Sequence, residues 1–458
     1  MVQTDRLIKH LVTQRIPITV VLTKMDRLML ELKLPPVDAY FKLKHTLDEI
    51  NALISTYGGD ASQRVSPELG NVCFASAHLG FVISLKTVSQ VYSEEFGGAI
   101  DAAELSKRLW GDVYYHKKTR AFKKTAPDSD TPRTFVQFVL DPLYKLVSQV
   151  VGEDAATLQK TLEKLRITLK PKQYTLNIKP LLKLVLSAFY GTPGGLTTMF
   201  VDHIPSPQAA AAALTQQLYS GPADSLAAQS MSACSADGPL VFHVTKLYPS
   251  EDGRTFDAFG RVLSGTLTAG QRVRVLGEGY HPDDQEDMSE QTVESLWVHE
   301  TRYRFQVNQA SAGMWVLAVG IDASIVKTAT VVAAAPAKRG KSAQEEEELY
   351  IIRPLKFMTS PVIKIAIEPL NPSELPKMLD GLRKVNKTYP LVQTKVEESG
   401  EHTVFGTGEL YLDCVMHDLR KVFAEIEIKV SDPVVTFCET VVDTSAFKCF
   451  AETPNKKY

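Results

Sequence analysis

The sequence predicts a multidomain fold, with an α/β domain first, a small β domain second and an α+β domain third. A chain of 458 residues is longer than one hydrophobic core usually supports, so about three domains are expected. Two apolar runs flank a helical pattern near the start of the chain, and short alternating strands occupy its middle. Strands mixed with two helices come last.

The α/β domain is predicted over residues 1–204. The nearly unbroken apolar run 16–22 is typical of a buried parallel strand, and the run 72–74 is a second one. Between the two runs, apolar residues recur at helical spacing: Tyr40, Leu43, Leu47, Ile50 and Ile54. Because ligands of such sheets bind beyond the carboxyl ends of the strands, the residues after both runs are expected on one ligand-binding rim.

A change in composition separates this domain from the next. Residues 205–237 are rich in Pro, Ala, Ser and Gln, with alanines at 209–213, and we interpret them as a linker. Over residues 238–335, short alternating strands meet at glycine turns, as at Gly265 and Gly270. This pattern predicts a small β-barrel.

The last third begins with residues 336–352, which we predict to be an acidic flexible loop. Residues 353–430 show the order strand, helix, strand, strand, helix, strand, which is the ferredoxin-like βαββαβ arrangement. Residues 431–458 hold apolar side chains with too little chain after them to close a core, so we interpret them as the truncated start of a further domain.

Composition restricts the function. Lys and Arg number 51 against 53 Asp and Glu, so no overall basic charge favours nucleic acid or a membrane surface, and any RNA contact must be local or carried by partners. The five cysteines are scattered without a C-x-x-C pair, which argues against disulfides and zinc and favours a reducing intracellular compartment. No apolar run approaches the ~20 residues of a membrane helix, so no membrane contact is expected. Nothing in the sequence indicates a homo-oligomer.

Two short motifs follow the two predicted strands of the α/β domain. A carboxylate placed like Asp26 can accept hydrogen bonds from both guanine N1–H and the exocyclic amine, which adenine cannot offer together. Lys24 would lay its aliphatic stem on the base, a backbone N–H near Ala77 would donate to the guanine carbonyl, and Ser76 would shape that turn. A lone Thr23-Lys24-x-Asp26 is most often a solvated turn, but two motifs in this order favour a guanine site.

These residues carry a family resemblance. Thr23-Lys24-Met25-Asp26, Ser76-Ala77 and the motif at 260–265 resemble the translational-type GTPases. The motifs at 399–402, 406–410 and 431–435 narrow the resemblance to the elongation factor 2 branch.

Three further segments refine it. Residues 30–36, 413–420 and 450–455 are similar to the spliceosomal U5 small nuclear ribonucleoprotein GTPases. The resemblance covers nearly the whole chain.

The resemblance implies that residues 1–204 are the C-terminal part of a P-loop GTPase domain with a helical insert. GTP or GDP is then the expected cofactor, with the guanine end alone bound by this chain. The family's phosphate loop, switches and Mg²⁺ ligands precede the Thr23-Lys24-x-Asp26 motif, and only 22 residues stand before Thr23. We therefore assign no catalytic residue and no metal ligand, and expect no hydrolysis by the chain alone. Thr23 stands where the family usually has Asn, which puts its bracing role in question.

The resemblance also implies a nuclear, GTP-binding component of the U5 small nuclear ribonucleoprotein that regulates spliceosome activation and disassembly in pre-mRNA splicing. U5 small nuclear RNA, the large U5 scaffold protein and an RNA helicase are the implied partners. Two alternatives stay open: an elongation factor 2-like ribosomal translocase, and a structural assembly module that never turns over nucleotide.

Other motif-like segments are interpreted as structural. Gly340-Lys341-Ser342 has Ala335 where a phosphate loop needs its first Gly, so a solvated loop is favoured. Asp257-Ala258-Phe259-Gly260 matches a switch motif but leads into a predicted barrel strand and follows the guanine motif. His417 is predicted on an ordinary helix face.

Overall fold

The computed structural model describes the chain except residues 1, 97–99, 117, 129–130, 166, 192–193, 251, 284–285, 335–347, 436, 438–439, 449 and 452–458. Two compact units are present, Met1–Ser206 and Pro207–Tyr458.

In its described part, the first unit combines helices with two small sheets. Its helices are α1 (Val2–Thr13), α2 (Met25–Leu30), α3 (Pro36–Thr56), α4 (Leu85–Glu95), α5 (Ala102–Ser106), α6 (Asp141–Gly152), α7 (Ala155–Lys164), α8 (Ile178–Tyr190) and α9 (Gly194–His203). Its strands are β1 (Val20–Leu22), β2 (Val72–Ser76), β3 (Phe81–Ile83), β4 (Tyr114–His116) and β5 (Ala121–Lys123).

The predicted strand-helix-strand unit is present. Strands β1 and β2 pair in parallel with Val20 opposite Val72, and β3 pairs antiparallel with β2. Strand β1 begins at Val20 rather than at residue 16, because the Ile16 N–H bonds to the Leu11 carbonyl at the end of α1 and Pro17 has no N–H to offer.

An aromatic cluster packs α3 against β2. Tyr40 on α3 and Phe74 on β2 contact Phe135 and Trp110, and the Trp110 and Phe135 ring centroids lie 4.8 Å apart. Every residue of β2 is buried, as expected for the central strand of this sheet. The packing holds the carboxyl end of β2, which carries Ser76.

The segment predicted as a linker is largely helical, so that interpretation is wrong. It contains α10 (Pro207–Leu218) and α11 (Leu226–Ser232). Proline suits the first position of a helix and alanine has the highest helix propensity, which outweighs the weak apolar periodicity. The Ser225 hydroxyl caps α11 by accepting a hydrogen bond from the Ala228 N–H at 3.2 Å.

The barrel of the second unit contains ten strands among the described residues: β6 (Val241–Pro249), β7 (Phe256–Ser264), β8 (Thr266–Thr268), β9 (Arg272–Leu276), β10 (Met288–Thr292), β11 (Ser295–Glu300), β12 (Tyr303–Val307), β13 (Gln309–Ser311), β14 (Trp315–Val319) and β15 (Ala329–Ala333). Eight of them follow the order β10-β9-β15-β6-β7-β14-β11-β12, and β8 pairs with β13. All of these pairs are antiparallel.

Gly260 on β7 lies against the neighbouring strand at unusually short range. A Cβ atom there would stand 2.1 Å from the His243 carbonyl oxygen on β6. Only glycine therefore allows this pairing, which gives the Gly260 position of the sequence motif a structural reason.

The α+β domain has the predicted βαββαβ order. Its elements are β16 (Ile363–Pro369), α12 (Leu375–Thr388), β17 (Gln393–Val396), β18 (His402–Gly406), α13 (Glu409–Asp418) and β19 (Ile428–Val430), followed by β20 (Val434–Val435) on the edge of β16. Barrel and α+β domain share one hydrophobic core within the second unit, where the Phe256 and Phe423 rings stack at 6.4 Å.

The structure describes parts of the predicted acidic loop, 336–352, and of the predicted start of a further domain, 431–458. Most of the predicted acidic loop lies outside the described residues, but Ile352 at its end is buried and pairs with Tyr219. In the stretch 431–458, the described residues Val434 and Val435 join the sheet. No single described helix is long and apolar enough to cross a membrane, although α8 and α9, bent by 51°, pass that length and composition test as a pair.

Candidate guanine site

The chain turns sharply between β1 and α2. Thr23 and Lys24 are exposed after the strand, and Lys24 has a left-handed backbone with φ of 62°, which is uncommon for a residue other than glycine. The Lys24 carbonyl accepts a hydrogen bond from the Arg27 N–H at 3.0 Å, which starts the helix. This turn places Asp26, half-buried, in the first turn of α2 beside the end of the sheet.

Asp26 is held by the second motif. The Ser76 hydroxyl, at the end of β2, donates a hydrogen bond to Asp26 Oδ1 at 2.6 Å. Ser76 is fully buried, and its hydroxyl oxygen also accepts a hydrogen bond from the Leu79 N–H at 3.1 Å. One hydroxyl thus orients the carboxylate and shapes the following turn. A carboxylate has about four acceptor positions, so Asp26 keeps capacity for further donors.

The turn after Ser76 presents a backbone donor. Ala77 is exposed, and its N–H bonds to no other residue in the described part of the chain. The Ser76 carbonyl accepts a hydrogen bond from the Gly80 N–H at 2.8 Å, which closes the turn. An unpaired N–H beside an oriented carboxylate fits the donor and acceptor pattern of a guanine edge.

Gly80 is a residue of this site that sequence reasoning missed. Its φ of +71° favours glycine, and a Cβ atom there would stand 2.8 Å from Cε of Lys183 on α8. A glycine four residues after a serine at a strand end is a signal for such a closed turn, and it could have identified the position.

The structure brings together part of the predicted set. Asp26 and Ser76 are in direct contact, and Ala77 follows Ser76 on the same rim because β1 and β2 are parallel neighbours. Thr23 and Lys24 lie at the end of β1, exposed, in the segment that leads into Asp26. The roles of all five residues toward a guanine base stay predictions.

The other motif-like segments have different outcomes. Asp257 is buried and pairs with Arg304, with 2.6 Å between Oδ2 and Nη1, so it serves the barrel. The segment Gly340-Lys341-Ser342 lies outside the described residues. His417 is exposed on α13, as predicted. Within the described ranges, no cluster of three or more His, Cys, Asp or Glu side chains is arranged to hold a metal ion.

Comparisons with known proteins identify the families of the barrel and of the α+β domain. The family model Elongation factor Tu domain 2 matches residues 257–332, and Elongation Factor G, domain III, matches residues 358–431. The chain is 53% identical over 460 residues to the 110 kDa U5 small nuclear ribonucleoprotein component CLO of Arabidopsis thaliana, which covers 100% of this chain and 46% of that protein.

The chain carries two elongation factor-type domains. It is also 52% identical to the 109 kDa U5 small nuclear ribonucleoprotein component GFL of Arabidopsis thaliana, and 51% identical to the pre-mRNA-splicing factor cwf10 of Schizosaccharomyces pombe. Each of these matches covers 100% of the chain and 46% of the relative, so the chain spans about half the length of the curated relatives it matches. The predicted resemblance and fold class are confirmed.

Proposed function

We propose that the chain contributes the guanine-reading part of a GTP-binding U5 small nuclear ribonucleoprotein component, which regulates spliceosome activation and disassembly. The observation that carries the nucleotide part is the 2.6 Å hydrogen bond from Ser76 to Asp26, which fixes a carboxylate at the rim of a parallel strand pair. Support for the splicing part is the identity of 51–53% along the whole chain to proteins named as U5 components or a splicing factor.

Guanine recognition follows from the donors and acceptors at the rim. Asp26 would accept from the base N1–H and amine, while the Ala77 N–H would donate to the carbonyl oxygen and the Lys24 stem would cover one face. Adenine cannot donate both of these bonds, so the acceptor positions of Asp26 that the Ser76 hydroxyl does not occupy would stay unpaired. The bound nucleotide is GTP or GDP, and Mg²⁺ would be held by phosphate-side residues, whose G-x-x-x-x-G-K-[ST] motif does not occur in the 458 residues.

Regulation would operate through nucleotide state. Binding at the first unit would favour one arrangement of the barrel and α+β domain within the ribonucleoprotein, as in other switching proteins. U5 small nuclear RNA, the large U5 scaffold protein and an RNA helicase are the proposed partners, and the nucleus is the proposed location.

A second candidate, a ribosomal translocase, is favoured by the two matched domain models, both of which describe translation factors. Affinity purification separates the two. We would join the tagged chain to the phosphate-binding segment of one of its relatives and recover bound RNA from nuclear and cytoplasmic extracts. U5 RNA without ribosomal RNA is the expected result, and ribosomal RNA without U5 RNA would overturn the proposal in favour of the translocase.

The same purification tests the third interpretation, a structural module without a nucleotide switch. Asp26→Asn should change the amount of U5 RNA recovered with GTP relative to GDP, whereas Asp38→Asn, in the exposed first turn of α3, should not. Recovery that is the same with both nucleotides in the unsubstituted protein would support the structural module.

A further inference from the structure

An open cavity of about 290 Å³ lies between the barrel and the α+β domain of the second unit. Among the residues that the structure describes, three lysines and one glutamate are the charged residues of its lining. They come from separate elements and are Lys246, Glu278, Lys327 and Lys387. None of its lining residues is part of the candidate guanine site or of the motifs identified in the sequence.

Lys246 reaches the cavity because strand β6 is irregular. Successive residues of a regular strand point to opposite faces, yet both Thr245 and Lys246 line this cavity. The pairing of β6 with β7 shifts register between Val244 and Lys246, which is a bulge at Thr245. Bulges commonly re-aim a side chain next to a functional site, and this one turns the lysine toward the cavity.

The other two lysines connect the domains reciprocally. Lys327 of the barrel donates from Nζ to the carbonyls of Pro390 and Val392, at 2.8 and 2.6 Å. Lys387 of α12 donates to the Asp322 carbonyl of the barrel at 2.7 Å. Each ammonium group has three N–H donors, so these bonds leave capacity for another acceptor.

Positive charge in the lining exceeds negative charge. The Asp322 carboxylate approaches Lys387 at 3.9 Å, and Glu278 Oε1 accepts hydrogen bonds from Thr328. Lys246 contacts the Tyr248 ring at 4.9 Å and forms no ion pair with any residue that the structure describes. Burial lowers the pKa of the Lys327 and Lys387 ammonium groups, with Glu278 and Asp322 opposing that shift. Partly desolvated cations of this kind are stabilised by an added anion.

The geometry points to a binding site for a phosphate group, with Lys246 as its main contact. Lysines that line one cavity from three elements suit the tetrahedral oxygens of phosphate, which accept hydrogen bonds from several directions. Exposed apolar side chains at the rim, Val326 and Phe357, provide a surface for the organic part of a phosphate compound. The phosphate could come from a free polyphosphate compound or from an RNA backbone.

Calorimetric titration of the chain with tripolyphosphate, and separately with a short single-stranded RNA lacking terminal phosphates, tests the site. Lys246→Gln should weaken binding of the effective probe by at least about tenfold, since a hydrogen bond to a charged group is lost. Lys246→Arg should retain most of the affinity. Lys395→Gln is the matched control, because Lys395 lies on exposed β17 and outside the cavity lining.

The outcome identifies the source of the phosphate. Lys246-dependent binding of tripolyphosphate alone indicates a free compound, and Lys246-dependent binding of RNA alone indicates the backbone. Saturable binding of neither probe would overturn the proposal, as would equal effects of Lys246→Gln and Lys395→Gln. The result is independent of the guanine site, because Asp26→Asn should leave tripolyphosphate affinity unchanged.

Discussion

Ser76 and Asp26 are 50 positions apart in the chain, and a 2.6 Å hydrogen bond joins the serine hydroxyl to the aspartate carboxylate. The bond links the two motifs that follow the two parallel strands, so the orientation of the proposed base-reading carboxylate depends on the end of the neighbouring strand.

Replacing Ser76 with Ala tests this dependence. The change leaves the Leu79 N–H without its acceptor and frees Asp26 to rotate. We expect a stability loss of about 1–3 kcal/mol, measured by denaturant unfolding, and guanine-nucleotide affinity about tenfold lower. Ser62→Ala, which removes an exposed serine-aspartate contact in the same unit, should change neither quantity. Unchanged nucleotide affinity in Ser76→Ala would show that the bond does not position the carboxylate.

The burial of His243 predicts that the barrel becomes less stable as the pH falls. Burial lowers the pKa of the His243 imidazole to about 4, and Nε2 bonds to no described residue. The unfolded chain, with a pKa of about 6.5, therefore binds more protons than the folded chain between these values. The stability that the folded chain gains by keeping His243 neutral is complete above pH ~6.5, and it is lost as the pH falls to about 4.

The free energy of unfolding falls by at most about 3 kcal/mol through His243 as the pH falls from 6.5 to 4. His243→Leu should flatten the dependence of unfolding free energy on pH between 6.5 and 4, whereas His281→Leu should not, since the His281 side chain is 68% exposed. Parallel pH curves for His243→Leu and the unsubstituted chain would contradict the assignment.

Gly260 predicts a packing cost. Its Cβ in Gly260→Ala would lie 2.1 Å from the His243 carbonyl oxygen and 2.9 Å from the Val244 Cα, so β6 and β7 must separate. We expect a loss of at least ~2 kcal/mol in thermal or denaturant unfolding of the second unit. Gly279→Ala is the control, because its Cβ meets no atom closer than 3.4 Å. A cost no larger than that of the control would mean that the strands adjust freely.

The sequence predicts the structure correctly where the spacing of apolar residues along a short segment determines the secondary structure. The buried positions of α3 recur at helical spacing, and β7 to β9 follow the alternation and glycine turns of the sequence. The parallel pairing of β1 with β2 followed from strand-helix-strand order. These features depend on side chains that are neighbours along the chain.

The sequence does not predict the structure where contacts between distant residues or backbone propensity determine it. Helix α10 buries only small side chains, Ala211 and Thr215, so the sequence has no strong apolar stripe there that would predict a helix. Strand β1 starts where the Val20 N–H meets the Asn71 carbonyl, a partner that periodicity does not reveal. In the site, the motif residues were predicted, but the bond between Ser76 and Asp26 and the role of Gly80 required the folded turn.

Nucleotide titration of Asp26→Asn tests the central claim most directly, using the chain joined to the phosphate-binding segment of a relative. The amide places an NH₂ against guanine's own donors, so GTP affinity should fall at a cost of several kcal/mol. Xanthine has a carbonyl where guanine has its amine, so the amide can donate to it and preference should shift to XTP. Thr23 should not prevent the shift, because the role proposed for it is to brace the pocket without contacting that base edge. Asp38→Asn should keep the GTP preference. GTP binding by Asp26→Asn as tight as that of the unsubstituted protein would contradict guanine reading and leave Thr23-Lys24-Met25-Asp26 as a strand-end turn.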